Sequence, residues 1–451
     1  MSVGHDDAVR LWTRARGAFV VSVLALMTCI AFESFAISTV LPTAMRDLAG
    51  SEWYSLAYAA TITTALVGMV VGGNWADRSG TRRPLIVGGA LFVFGLALCA
   101  LAPSAATFIV GRLLQGIGGG IDSVVLYVLI AQRVPPGPRA KMFGLLTTAW
   151  LLPSMVGPVI AGILTQLADW RAVFGLVLVG AAAALAGLLL ATRTGTPEQG
   201  GSTRTVLGRR GAFTTVAALL LLALHLGSQL PMPYVALAVA TAVIALVIVV
   251  IIGRVLPPGT LRLRGAPQRL VALRAMLGAT VTATDVYLTL YLQSERGFAP
   301  TTAGLVIAIG AVGWALGAWL QARVGESAHM QVRLIRIAAI LVLVGPTSVL
   351  FLTLGHAPVA MTVAGCVVMG VGMGMAYPRI SAATLTLARS DEQGAYSSAL
   401  QAGEGMASAG MLAVVAAVLA ATPPGQSFPI VYAALTITGC AAALVSVRLR
   451  R

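Results

Sequence analysis

Lysine is almost missing from this chain: of 30 basic residues only Lys141 is a lysine, and it follows Ala140. A phosphate-binding loop of the G-K-[ST] kind therefore has no place to form, which excludes an ATP-driven engine of that type. Charge of either sign is scarce, 10% of the 451 residues against 58% hydrophobic, and a water-soluble core does not account for that excess. The four cysteines, Cys29, Cys99, Cys366 and Cys440, lie far apart in apolar runs without C-x-x-C spacing, so neither a disulfide framework nor a metal site is expected from them. The four histidines are scattered as well. No nucleophile with a base and no metal cluster gathers at one depth, so neither an enzyme nor a cofactor is expected.

What the chain does hold is apolar length. Fourteen segments of about 18 to 25 residues, roughly what a helix needs to cross the hydrocarbon layer, are separated by short polar joints. Two of them, 211–230 and 234–253, meet at the tight corner Pro231-Met232-Pro233. An all-α polytopic membrane protein is the fold class this implies. The net charge of +15 does not point to nucleic acid, because the basic residues alternate with the joints. With the N terminus inside, cytoplasmic tails and loops hold 25 of the 30, the opposite loops hold only Arg46, Arg171 and Arg296, and Arg112 and Arg274 fall within spans. Both termini are expected in the cytoplasm, in agreement with an even number of helices. The first apolar run is too long for a cleaved signal, contains Glu33 and lacks a small-residue cleavage site, so it is expected to stay as the first helix.

The two longest cytoplasmic joints, 193–210 and 254–269, are rich in Gly, Pro and Arg and bracket the seventh and eighth spans. This divides the chain into a tail at 1–16, a six-helix bundle at 17–192, linkers with two inserted helices at 193–269, a second six-helix bundle at 270–447 and a tail at 448–451. Weak echoes relate the bundles. Gly73 and Trp75 match Gly317 and Trp319, with Gln321 in the place of Asp77. Gly116, Gly118 and Gly120 match Gly370, Gly372 and Gly374, which sets Arg112 against Cys366 and Asp122 against Ala376. On this alignment the bundles share a fold and only the first carries the charges.

Several motifs stand in a recognisable order. The joint after the second span reads GNWADRSGTRRPL, with Gly73, Asp77, Arg78, Gly80 and Arg82. A short basic loop with one acid at a helix end can hold a neighbouring helix terminus by charge-assisted hydrogen bonds. The fourth span carries Arg112, Gln115, Gly116 and Gly118. An arginine there costs about 2.5 to 3.5 kcal/mol on insertion scales unless it faces protein, water or a partner. At 100° per residue Arg112, Gln115, Gly119 and Asp122 share one face. The fifth span carries Gly157, Pro158, Ala161 and Gly162 after Pro153, a pattern suited to a kinked, closely packed helix.

These motifs resemble those of the major facilitator superfamily, and within it the fourteen-helix drug:proton antiporters. The first resembles G-x-x-x-D-R-x-G-R-K/R, with Thr81 in place of the first basic residue of the closing pair; the second resembles R-x-x-Q-G-x-G; the third resembles G-P-x-x-G-G, with Ala161 in place of a glycine. The end of the first span resembles D-x-x-x-x-N-x-x-L-P, with Glu33 for the aspartate and Ser38 for the asparagine. The resemblance implies two six-helix bundles plus an inserted pair, gating by the first motif, proton transfer by the second and export from the third. It implies a proton gradient as the energy source, small molecules and protons as the partners besides the lipid bilayer, and a functional monomer. One lysine against 29 arginines points to a high-GC bacterial genome, and so to the bacterial inner membrane.

Four acids lie deep in apolar spans: Glu33, Asp122, Asp285 and Glu404. Each sits within about four residues of its span's midpoint, hence within about 6 Å of the bilayer centre, the level at which transporters of this class bind substrate. Glu33 and Asp122, beside Arg112, are the candidates for proton coupling. Asp285 and Glu404 are the candidates for meeting a positively charged substrate, with Gln293, Tyr287 and Tyr291 near Asp285, and Trp150 and Trp314 available to stack on a cationic or aromatic ligand. The function this implies is proton-driven export of hydrophobic, cationic small molecules. A lipid or secreted-metabolite exporter is the alternative, ahead of a channel or a membrane-embedded enzyme.

Overall fold

The computed structural model describes residues 14–193, 208–227, 253–324, 327–388, 393–423 and 425–449, with Val243, Val247, Val250 and Ile251. Among them every regular element is helical, and twelve helices are long and apolar enough to cross a membrane. The chain divides into two compact units, Met1–Ala212 and Phe213–Arg451.

The first unit contains α1 (Arg14–Asp47), α2 (Tyr54–Ser79), α3 (Arg82–Ala100), α4 (Ala105–Arg133), α5 (Pro136–Leu167) and α6 (Trp170–Ala191). Next comes α7 (Gly208–Gly227), which crosses the boundary between the units, overlaps the span predicted at 211–230 and is not one of the twelve. Its partner, predicted at 234–253, lies almost wholly outside the described residues. The second unit holds α8 (Ala266–Ser294), α9 (Pro300–Ala322), α10 (Ala328–Thr353), α11 (Val359–Leu387), α12 (Gln393–Ala421) and α13 (Ser427–Val447).

Local chemistry sets the helix ends. Ser104 caps α4 by accepting from the Thr107 amide at 3.3 Å, Asp169 caps α6 from the Arg171 amide at 2.9 Å, and Ser327 caps α10 from the Met330 amide at 3.3 Å. At the end of α2, Gly80 has φ +77° and its amide donates to the Ala76 carbonyl at 3.0 Å. That left-handed turn favours glycine, which is why this motif position has no side chain. Pro153 and Pro158 lie inside α5, Pro346 inside α10 and Pro378 inside α11, each removing one backbone donor from its helix.

Packing repeats between the units. In the first, α4 packs on α2 and α3, and α1 packs on α5 and α6; in the second, α11 packs on α9 and α10, and α8 packs on α12 and α13. The glycine pattern explains how α4 and α11 each reach two neighbours. Side chains at Gly116 and Gly120 would strike Thr61 and Ala65 of α2, and one at Gly118 would strike Gly88 and Phe92 of α3. Their counterparts behave alike: Gly370 and Gly374 face Gly310 and Trp314 of α9, while Gly372 faces Ala338 and Leu341 of α10. Such backbone-to-backbone approach is the usual way helices associate without a hydrophobic driving force between them.

These contacts correct the sequence alignment in one place. Thr61 corresponds to Gly310 and Ala65 to Trp314, while Gly68 and Gly317 face Ile117 and Val371 respectively. In that register Trp75 lies opposite Val324 rather than Trp319, a shift of about a turn and a half. The residue counted opposite Asp77 is then Glu326, which lies outside the described residues, rather than Gln321. A Gly-x-Trp echo is too short to fix a register that backbone contacts decide.

Candidate functional site

In the first unit the membrane-embedded charges meet as a sealed cluster. Glu33 of α1 forms an ion pair with Arg112 of α4. The same guanidinium donates from Nη1 to Gln115 Oε1 at 2.7 Å and from Nε to the Ala57 carbonyl at 3.1 Å. Thr61 and Thr64 of α2 donate to the carbonyls of Arg112 and Leu113, at 3.1 and 3.0 Å. Arg112 is 2% exposed and Glu33 4%, so this pair is closed off and tied to backbone. A void of about 10 Å³, the lower limit for one water, lies beside Glu33 between α1 and α6, against Val173 and Val177.

Asp122 is not part of that cluster. Ten residues beyond Arg112 on α4, it lies about 15 Å further along the axis, and its carboxyl packs against Gly88 of α3. It is fully buried, and among the described residues neither carboxyl oxygen has a hydrogen-bond partner. The expectation that Asp122 stands beside Arg112 is therefore corrected: sharing a helical face does not bring together residues three turns apart.

The motif residues of α2, α4 and α5 are placed as follows. Gly73 faces Val124 of α4, Gly80 makes the turn already described, and Asp77, Arg78 and Arg82 are exposed. On α5, Gly157 meets the Phe32 ring of α1, and Pro158, Ala161 and Gly162 are buried. Trp150 on the same helix makes an edge contact with Phe35 of α1, ring centroids 6.1 Å apart. Gly157 thus lies against the part of α1 that carries Glu33.

The second unit has its own charged cluster, built from other helices. Arg274 of α8 donates from Nε to Glu404 Oε2 of α12 at 2.9 Å and from Nη1 to Ser381 Oγ of α11 at 2.6 Å. Tyr377 of α11 donates its hydroxyl to Glu404 Oε1. The Arg274 guanidinium lies 4.4 Å from the centroid of the Tyr377 ring, and Trp314 of α9 meets that ring edge-on at 5.6 Å. Gly278, one turn after Arg274, leaves the room: a side chain there would collide with Glu404 Cγ and the Tyr377 hydroxyl. This pair lies away from Cys366 and Ala376, the positions matched to Arg112 and Asp122.

Asp285 stands apart from it. Seven residues along α8 from Gly278, which Glu404 touches, it is about 10 Å away along the axis, so Asp285 and Glu404 are not at one level. Tyr287 is fully buried and donates to the Leu412 carbonyl at 2.9 Å, pinning α8 to α12 rather than lining an open space. Tyr291 packs edge-on against Phe428, centroids 5.0 Å apart, and Gln293 is buried near the end of α8.

Sequence reasoning missed Tyr377, Ser381 and Arg379, and left Arg274 without a role. The available signal was an unassigned in-span arginine, for which Glu404 was an in-span acid of opposite charge. Arg379 acts elsewhere. It donates to the carbonyls of Gln321 and Val324 at 2.7 and 2.8 Å and to Gln321 Oε1 at 3.2 Å, capping the end of α9.

Two units with the same helix packing, and an ion pair within the spans of each, describe a transporter of the two-bundle kind. The family model described as Major Facilitator Superfamily matches residues 23–411, and the chain belongs to that superfamily: it is a multi-pass membrane transporter. A "Probable multidrug-efflux transporter" of Mycobacterium tuberculosis is 28% identical over 371 residues, which is 78% of this chain and 76% of the relative. The "Methylenomycin A resistance protein" of Bacillus subtilis is 33% identical over 196 residues, 42% of this chain and 41% of the relative. A crystal structure of a POT family transporter in complex with 5-aminolevulinic acid superposes with a TM-score of 0.69 over 96% of both chains at 14% identity, a likeness of fold.

Proposed function

We propose that this transporter exports hydrophobic, cationic small molecules in exchange for protons, by alternating access, in the bacterial inner membrane. The observation that carries the reading is Glu404: a carboxylate in an apolar span, 24% exposed, that accepts from the Tyr377 hydroxyl, with Trp314 edge-on to the Tyr377 ring. A carboxylate next to aromatic faces is the chemistry that selects a lipophilic cation from neutral compounds. The descriptions of the efflux and resistance relatives support the direction of transport. Asp285 is the second acidic contact for cargo, with Gln293, Tyr291 and Trp150 as further candidates.

In this reading Glu33 and Asp122 carry the coupling protons. Glu33 exchanges its Arg112 pairing for a proton, and Asp122, fully buried and without a hydrogen-bond partner among the described residues, is the second carrier. Asp77, Arg78 and Arg82 gate the end of α2, with Gly73 and Gly80 giving the loop its shape, and the α5 glycines and Pro158 let that helix flex. The chain works as a monomer of fourteen helices with both termini cytoplasmic, powered by the proton gradient alone. Adding a cationic dye to purified protein in weakly buffered solution tests this. Proton release is expected, reduced in Glu33→Gln and Asp122→Asn; no release at any pH overturns the antiport reading.

A further inference from the structure

The two ion pairs in the spans are built for different work. Arg112 is held by a backbone carbonyl as well as by Glu33 and Gln115, and the pair is 2% and 4% exposed. Among the described residues Arg274 has only side chains for partners, Glu404, Ser381 and the Tyr377 ring, and it and Glu404 are 14% and 24% exposed. Releasing Arg112 would strand the Ala57 carbonyl and Gln115 in a sealed pocket, whereas Arg274 and Glu404 are partly exposed and can exchange partners. Arg112 therefore keeps its Ala57 and Gln115 contacts when Glu33 takes up a proton, whereas Arg274 is placed to leave Glu404 altogether.

What Arg274 touches is also what a lipophilic cation needs. Its guanidinium lies against the Glu404 carboxylate and over the Tyr377 face, while Gly278 keeps the space around both free of a side chain. Ion pairing and a cation on an aromatic face are the two favourable terms for such a ligand, and Arg274 makes both from within the chain.

We propose that Arg274 is a tethered occupant of the Glu404 site, an internal cation that the cationic substrate must displace. This rests on the cation-export reading and adds to it a determinant of specificity. A ligand enters in proportion to how well its charge and aromatic fit exceed those of the guanidinium, so weakly charged or neutral compounds are turned away. Occupancy by Arg274 lowers the apparent affinity by the fraction of time that the site stands open. The same occupancy keeps the carboxylate partnered once cargo has left.

Equilibrium binding of tetraphenylphosphonium to the full chain in detergent, with triphenylphosphine oxide as the neutral analogue, tests the proposal. Arg274→Gln is expected to bind the cation roughly ten-fold more tightly, equivalent to about 1.4 kcal/mol, with the neutral analogue unchanged. Ser381→Ala removes an anchor of Arg274 and leaves both charges, and is expected to tighten cation binding about two- to three-fold. Arg274→Lys keeps an internal cation but cannot hold Glu404 and Ser381 at once, so it should fall between the wild type and Arg274→Gln, whereas Glu404→Gln and the Arg274→Gln/Glu404→Gln pair should lose the cation. Cation binding by well-folded Arg274→Gln and Ser381→Ala that is unchanged or weaker overturns the tethered occupant while leaving cation export standing. No cation binding by the wild type or by either variant overturns both.

Discussion

Replacing Arg112 by Met tests whether the sealed pair holds the first unit together. The side chain is 2% exposed and has three partners in place: the Glu33 carboxylate, Gln115 Oε1 at 2.7 Å and the Ala57 carbonyl at 3.1 Å. Methionine fills most of the volume but donates nothing. The Glu33 carboxylate is left as an uncompensated charge, and breaking a buried pair from one side costs about 3–5 kcal/mol. Adding Glu33→Gln removes that charge, so the double variant is expected to recover about 2 kcal/mol of the loss. Reversible unfolding in mixed detergent micelles, followed by tryptophan fluorescence and helical circular dichroism, measures all three variants. A loss below about 1 kcal/mol for Arg112→Met, or strictly additive losses in the double variant, refutes the reasoning.

Four further outcomes follow from the geometry. Asp122→Asn should leave unfolding stability unchanged or slightly higher, because no group donates to the carboxyl among the described residues; a drop of several degrees in Tm would show that the carboxylate is held after all. Gly120→Val and Gly374→Val should each cost about 1–3 kcal/mol or prevent folding, since the new side chain meets the backbone of a neighbouring helix. Gly175→Ala, with nothing nearby, should be neutral in the same thermal assay. Arg379→Ala should lose about 1.5–3 kcal/mol and speed amide exchange near 320–324, and Arg379→Lys should restore little, because three acceptors need the guanidinium fork.

The register of the repeat shows where a sequence stops being informative. Matching glycines on α4 and α11 were legible as a pattern, and the structure gives them matching neighbours. The Trp75–Trp319 match was equally legible, yet the contacts of α2 and α9 set those two residues out of step. A three-glycine pattern is constrained by two neighbouring helices at once. A single tryptophan on a helix face is constrained by neither.

What the sequence determined by itself was what depends on local composition: the apolar lengths of the helices and which residues bear charge where charge is costly. Those follow from the free energy of moving each residue into hydrocarbon, which is read one segment at a time. What only the tertiary structure decided was pairing. Arg112 is joined to Glu33 of α1 and not to Asp122 on its own helix, and Arg274 to Glu404, 130 positions away. Those choices depend on how neighbouring helices are rotated and slid against one another, which close glycine contacts fix.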